Sequence, residues 1–244
     1  MEIYVYFAVS VIGLCFGSFA NVVIIRLGKN ESVVFPASHC PKCKNPLRWF
    51  HNIPVFSFIF LRGKCAFCGE KISVIYPIVE IITSLLFCAA FYKLGVSYWT
   101  VFAALTLFAL LCLSVIDFQT MMAPDSLNFL AFFFALLTSG DILTNLQAAL
   151  LIAGALTLLR MGLSSALKKE AMGEADIILG ATMGAFLGLF GAFLALFLAA
   201  LLAIIPALIN KKGGQSQTPF IPFLALGTLI VFLFDKRLFS LFQF

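Results

Sequence analysis

Charge is scarce in this chain of 244 residues. Asp, Glu, Lys and Arg together make 11% of it, against roughly 25% in a soluble domain. That shortage excludes a globule covered on all sides by water. Histidine is scarcer still: His39 and His51 are the only two, and both lie in one polar stretch. A Ser–His or Cys–His pair inside the apolar segments is therefore excluded. No G-x-G-x-x-G turn follows a strand pattern, so there is no nucleotide fingerprint. No βαβ pattern surrounds a C-x-x-C pair, and no internal repeat is apparent. The net charge of +5 calls for no nucleic acid, because basic loops beside anionic lipid account for it.

What the chain has in abundance is apolar sequence. It is 62% apolar, with 29 Phe and a mean hydropathy of +1.09. A helical span needs about 20 apolar residues. Runs of that kind lie near 3–25, 74–93, 98–116, 125–139, 143–162, 175–190, 191–209 and 219–234. The expected fold is all-α: a polytopic transmembrane bundle of about eight spans in the lipid bilayer, with one small polar loop. Gly188 and Gly191 mark the turn expected within the long run from 175 to 209. The first run has the length of a span, and Met1-Glu2 lacks a basic n-region, so a span rather than a removable signal is expected. The expected organisation is a first helix (1–25), a four-Cys loop (26–73) and a helical domain (74–244). Gly213-Gly214-Gln215-Ser216-Gln217 reads as a short flexible link before the last span.

Orientation follows the Lys and Arg bias. Eight of the 16 basic residues lie between Arg26 and Lys71. With that loop in the cytoplasm, Arg160, Lys168, Lys169, Lys211 and Lys212 join them inside. Only Lys93, Lys236 and Arg237 remain outside. The expectation is an outside N-terminus and an even number of spans.

The loop carries Cys40-Pro41-Lys42-Cys43 and Cys65-Ala66-Phe67-Cys68. Two C-x-x-C knuckles at this spacing offer four thiolates for a tetrahedral Zn²⁺ site. Gly63 and Gly69 permit tight turns around the second pair. So short a loop buries little core, and a metal supplies folding energy. Two alternatives stand beside structural zinc. A pair of disulfides requires an oxidising compartment, whereas the charge bias puts the loop in the reducing one. Redox chemistry by one C-x-x-C pair lacks its usual fold. His39 and His51 read as surface residues, and Cys15, Cys88 and Cys112 as packing residues within spans.

Among the few acids, Asp117 and Asp176 command attention. Asp117 ends the third span and Asp176 begins the sixth, so topology alone places both at one depth on the cytoplasmic side. Carboxylates at a membrane boundary are costly unless used or paired. Two that meet form a pair sharing one proton, the arrangement of acid–base hydrolysis. Asp117 lies near a helix C-terminus and Asp176 near an N-terminus, so the helix dipoles assign the shared proton to Asp117. Asp176, Gly180, Gly184 and Gly188 recur every four residues, a small-residue face that brings another helix close. The plainer readings are an ordinary boundary residue for Asp117 or Asp176, an N-terminal cap for Asp125 after Pro124, a loop Lys or Arg partner for Glu80, and a solvated Glu174 beside Lys168 and Lys169.

The whole chain resembles the type IV prepilin peptidase family, the GxGD-type aspartic proteases of the bacterial inner membrane. The resemblance rests on Gly17-Ser18-Phe19-Ala20-Asn21-Val22-Val23, on Asn52-Ile53-Pro54-Val55-Phe56-Ser57 between the Cys pairs, on Tyr76-Pro77-Ile78-Val79-Glu80, on Asp117 seven residues before Pro124-Asp125, on Gly173-Glu174-Ala175-Asp176, and on Pro219-Phe220-Ile221-Pro222-Phe223. Ala175 stands where the family usually has its second Gly, and Ile75 where it often has Arg. The resemblance implies Asp117 and Asp176 as catalytic residues. It implies prepilins and pseudopilins as substrates, cleaved at the cytoplasmic face of the membrane. It also implies, for many members, methylation of the new N-terminus by S-adenosylmethionine, a site for which no residue here gives a sign. Two rival readings differ in kind. An ion relay or transporter expects charges at the bilayer midplane, and a zinc-sensing scaffold needs the Cys residues but not the aspartates.

Overall fold

The fold is that of a computed structural model, in which residues 2–168, 172–209 and 218–242 are described. The link at 213–217 and the basic residues Lys169, Lys211 and Lys212 lie outside them. The described residues are all-helical apart from loops and two isolated bridges. Five helices are long and apolar enough to cross a membrane, and Asp125–Leu136 and Ile221–Asp235 are apolar but shorter. The chain divides into two compact units, Met1–Gly95 and Val96–Phe244.

The first unit is a helical pair with a loop between. Helices α1 (Glu2–Leu27) and α3 (Ile75–Leu94) run antiparallel. The pairing is read from successive contacts: Tyr6 edge-on to Phe91, Ser10 hydrogen-bonded to Ser84 at 2.9 Å, and the Asn21 amide donating to the Tyr76 carbonyl at 3.1 Å. Two glycines set the distance between the axes. A Cβ on Gly13 would lie 2.6 Å from the Ser84 Cα, and one on Gly17 2.4 Å from the Glu80 Cα. Without a hydrophobic effect to drive association in lipid, such backbone proximity is what holds helices together. Between α1 and α3 the chain forms the Cys loop, which includes a 3-10 turn at Trp49–Asn52 and the short helix α2 (Phe56–Phe60).

The second unit holds α4 (Tyr98–Thr120), α5 (Asp125–Leu136), α6 (Ile142–Leu167), α7 (Glu174–Ile209) and α8 (Ile221–Phe242). Ser97 caps α4 by accepting from the Thr100 N–H, and Asp141 caps α6 by accepting from Thr144, the hydrogen bonds that draw its carboxyl below the usual carboxylate range. Helix α7 is interrupted at Gly188, whose φ of 73° and ψ of 174° are open to glycine and not to L-residues with side chains. The interruption is a reversal. Helix α8 starts beside Asp117, its Gly227 lies on Ala195, and its Phe232 stacks on Phe186 at 4.9 Å. Ala195 therefore sits nearer the Asp117 end than Phe186 does, although it comes later in the chain. The turn expected between 175–190 and 191–209 is thus made by Gly188. The fourth expected span, 125–139, is shorter than read: α5 has 12 residues, and it ends where Thr138, Ser139 and Gly140 leave the helix.

Glycine works differently along α7. Gly180 and Gly184 pack on α6, where added Cβ atoms would meet Leu156 at 2.2 Å and the Ala148 carbonyl at 2.8 Å. Gly188 has no neighbour within 4 Å, so its role is conformational. Gly227 of α8 also lies against backbone, with a Cβ placed 2.5 Å from the Ala195 carbonyl oxygen. We expect Gly227→Ala to cost about 1–3 kcal/mol through forced separation of α7 and α8. Gly154→Ala, in α6 with open space around it, should leave stability unchanged or higher. Thermal unfolding of the two variants in detergent checks this.

Candidate active site and cysteine centre

Asp117 lies in the last full turn of α4, one turn before Met121, whose left-handed φ of 54° ends the helix. It is 8% exposed. Its Oδ2 accepts the Ile221 backbone N–H at 3.1 Å, and the Phe220 N–H also points to it. These are the first amide groups of α8, which have no partner within their own helix. A second helix end, of opposite sign, therefore meets the same carboxylate and offsets the dipole of α4.

Asp176 is the third residue of α7. Its Oδ2 accepts the Gly173 N–H at 3.3 Å, closing the first turn from the side-chain side. Asp117 and Asp176 lie within electrostatic reach of one another, although their helices share little direct contact. They are brought together by intermediaries. Helix α5 packs on both α4 and α7, and α8 does the same.

Asn128 of α5 makes one of these links. It is wholly buried and donates from Nδ2 to the Ala175 carbonyl at 3.0 Å, in the turn that carries Asp176. Its Oδ1 is buried with no protein partner. Sequence reading missed this residue, because a lone Asn in an apolar helix carries no periodic signal. Ala175 itself does not have a positive φ. It is the second residue of α7, so alanine in place of the family's glycine fits the backbone there without strain.

The remaining acids take other partners. Asp125 is exposed and is the first residue of α5 after Pro124, where a negative charge suits the helix dipole. Glu174 pairs with Arg160 at 3.3 Å across α6 and α7. Glu80 is buried in the first unit and its Oε2 accepts the Val55 N–H at 2.7 Å. Its partner is thus a backbone amide, in place of the Lys or Arg expected for it.

The loop cysteines form the second centre. The ligand atoms of Cys40, Cys43, Cys65 and Cys68 all lie within 4.8 Å of one another, with Cys40 and Cys68 sulfurs 3.9 Å apart. Four sulfurs held at about 2.3 Å from one ion would be separated by about 3.8 Å, so the cluster fits a tetrahedral metal. The two knuckles repeat one backbone pattern. The Cys40 N–H donates to Asn45 O and the Lys44 N–H to Cys40 O; the Cys65 N–H donates to Glu70 O and the Gly69 N–H to Cys65 O. The corresponding residues Lys44 and Gly69 both have left-handed φ, 59° and 71°. Lys42 and Glu70 form an ion pair between the knuckles.

Backbone N–H groups at the knuckles favour thiolates. The Cys43 N–H, opposed by burial, brings Cys40 down to about 6. Cys68 moves the other way, to about 11. The Glu70 N–H favours its thiolate, but burial and the neighbouring thiols outweigh that. His39 bonds to the Ala37 carbonyl at 3.0 Å and His51 packs between Phe50 and Phe67. Neither joins the cluster.

Apolar spans, with a buried Asp117 and a half-buried Asp176 at one end of a helical unit, define a polytopic membrane protein. A family model described as Bacterial Peptidase A24 N-terminal domain matches residues 11–94, and one described as Type IV leader peptidase family matches residues 104–208. The chain is similar to proteins named Prepilin leader peptidase/N-methyltransferase. That of Klebsiella pneumoniae is 38% identical over 72% of this chain and 82% of its own length. That of Bacillus subtilis (strain 168) is 29% identical over 94% of each. That of Myxococcus xanthus (strain DK1622) is 36% identical over 72% of this chain but 54% of its own length. No solved structure matches. The chain belongs to the type IV leader peptidase family.

Asn128 provides a direct check on how the Asp176 turn is held. Asn128→Ala removes one hydrogen bond together with an unpaired acceptor, and should cost about 1 kcal/mol. Asn128→Asp faces the Ala175 carbonyl with a second acceptor and should cost about 3 kcal/mol or more. Equal unfolding temperatures for the two variants would contradict this account.

Proposed function

We propose that the chain is a membrane aspartic endopeptidase that removes the basic leader from type IV prepilins and pseudopilins, with Asp117 and Asp176 as its catalytic pair. The observation that carries the reading is the position of Asp117: buried at the end of α4, fixed by the α8 N-terminus, and within electrostatic reach of Asp176. An ion relay would place its charges at mid-span, whereas these two lie in the last and first turns of their helices.

The chemistry follows from the two carboxyl groups. One, ionised, takes a proton from water as the water oxygen adds to the scissile carbonyl carbon. The other, protonated, donates to the carbonyl oxygen. Collapse of the tetrahedral adduct breaks the C–N bond, and a proton passes to the leaving amine. Nothing covalent forms with the protein. The N–H groups of Ile221 and Phe220 keep Asp117 from rotating away. The bias of Lys and Arg supports a cytoplasmic site in the bacterial inner membrane, with the N-terminus in the periplasm.

Zn²⁺ is the metal that best suits four thiolates in a reducing compartment. A closed Cys40, Cys43, Cys65 and Cys68 shell would give it a structural role with no open coordination position. Methylation of the new N-terminus, with S-adenosylmethionine as donor, carries over from the relatives' name. Among the described residues there is no strand–glycine turn–helix cradle for that donor, so none of them is assigned to it.

Incubating the detergent-extracted protein with a prepilin tests the catalytic assignment. Asp117→Asn and Asp176→Asn should each slow leader release by roughly 1,000-fold or more while expression and unfolding temperature hold. Retained cleavage in either variant would remove that residue from the pair. Metal analysis tests the other centre. The purified chain should hold about one zinc, Cys40→Ser or Cys65→Ser should lose it, and Asp117→Asn should keep it.

A further inference from the structure

The Cys loop does not stand clear of the helices that carry it. The Ser18 hydroxyl of α1 donates to the Asn52 carbonyl at 3.3 Å, and Glu80 of α3 accepts the Val55 N–H at 2.7 Å. Ser18 lies nine residues before the end of α1, and Glu80 five residues after the start of α3. At 1.5 Å per residue these contacts are about 13 Å and about 8 Å inside the helix ends. Helix α3 has 20 residues, no more than a bilayer crossing requires, so Glu80, its sixth residue, is already within the apolar layer or at its edge.

The pinning is firm. Val55 has φ 60° and ψ −48°, and the Phe56 N–H bonds to Pro54 O at 2.6 Å. This is the rare form of γ-turn, strained for a β-branched residue. A buried carboxylate on its amide holds it there.

Helix α2 follows at once, and no described residue covers its apolar side. Phe56, Ile59 and Phe60 share one face by their i, i+3, i+4 spacing, and they are 58%, 63% and 83% exposed. Exposed apolar residues at the start of α3, Val74 just before it and Ile75 and Ile78 within it, continue the surface. Arg62 and Lys64, both exposed, follow directly. An apolar face with basic residues beside it, about 5–10 Å deep, is the pattern of a helix lying in the headgroup region. Loop cations beside it suit an anionic leaflet.

We propose that α2 is an interfacial anchor, with Phe56, Ile59 and Phe60 in the upper acyl chains of the leaflet and Arg62 and Lys64 at lipid phosphates. The anchor fixes the height of the cysteine centre above the membrane, and the proposal stands independently of the peptidase reading.

A tryptophan depth measurement tests it. The full chain carrying Trp49→Phe, Trp99→Phe and Phe60→Trp is reconstituted in vesicles of phosphatidylglycerol and phosphatidylcholine, with lipids brominated either near the headgroup or near the methyl end. Lipids brominated near the headgroup should quench emission about twofold and those brominated at the methyl end less, with a blue-shifted maximum. Quenching by aqueous acrylamide without bromolipid quenching would put α2 in water and overturn the proposal. Protection from both quenchers would overturn it in favour of a protein partner or a second copy. Ile59→Trp gives the same readout should Phe60→Trp fail to fold.

Discussion

The hydrogen bond from the Ile221 N–H to the Asp117 carboxylate joins two groups that lipid tolerates poorly on their own. A helix that starts inside a bundle leaves amide donors unused, and a carboxylate in the same place lacks donor partners. Each supplies what the other needs, across 104 residues of chain. The rest of the second unit follows from that junction. With α8 starting at Asp117, its glycine meets α7 after the reversal at Gly188, and α7 before the reversal packs its glycines on α6. Asp176 arrives at the same end as Asp117 because this circuit closes.

The first unit solves the same problem with a different donor. Glu80 takes a strained loop amide, and the buried Arg26 gives its guanidinium hydrogens to the Ser32, Val33 and Pro36 carbonyls near the end of α1. Both charges are spent on backbone, which orders the flanks of the cysteine loop without a salt bridge to either. The knuckles then need to specify only themselves. Their shared turn geometry, with Lys44 and Gly69 in matching conformations, shows that one of the two positions tolerates a left-handed side chain.

Much of this was legible before any coordinates. The apolar runs located the helices, since lipid demands length and composition more than periodicity. Gly188 could be read as a turn because glycine breaks a run that is otherwise uniform. The two C-x-x-C pairs and the matched depth of Asp117 and Asp176 were also accessible, because spacing and topology are linear properties. What was not legible depended on backbone groups, which leave no mark in sequence. The amides at Ile221 and Val55 and the Ala175 carbonyl are partners any residue could offer. Asn128 gave no periodic signal in its apolar helix, and Glu80 seemed to call for a cation. The shortness of α5 was hidden because the polar Thr138 and Ser139 are too mild to end an apolar run.

The reversal at Gly188 has a consequence for the surrounding membrane. From Glu174 to Leu187 the helix climbs about 21 Å, and α5 with its 12 residues reaches still less, whereas the hydrocarbon layer is about 30 Å thick. Residues 179–185 are buried among other helices, so the mismatch meets lipid along the exposed Phe129, Leu130 and Phe133 of α5, where lipids must compress or tilt to cover it. A leaflet thinned in this way would let water approach Asp117 and Asp176 more closely than an undisturbed bilayer permits, so their hydration would depend on lipid chain length as well as on the residues around them.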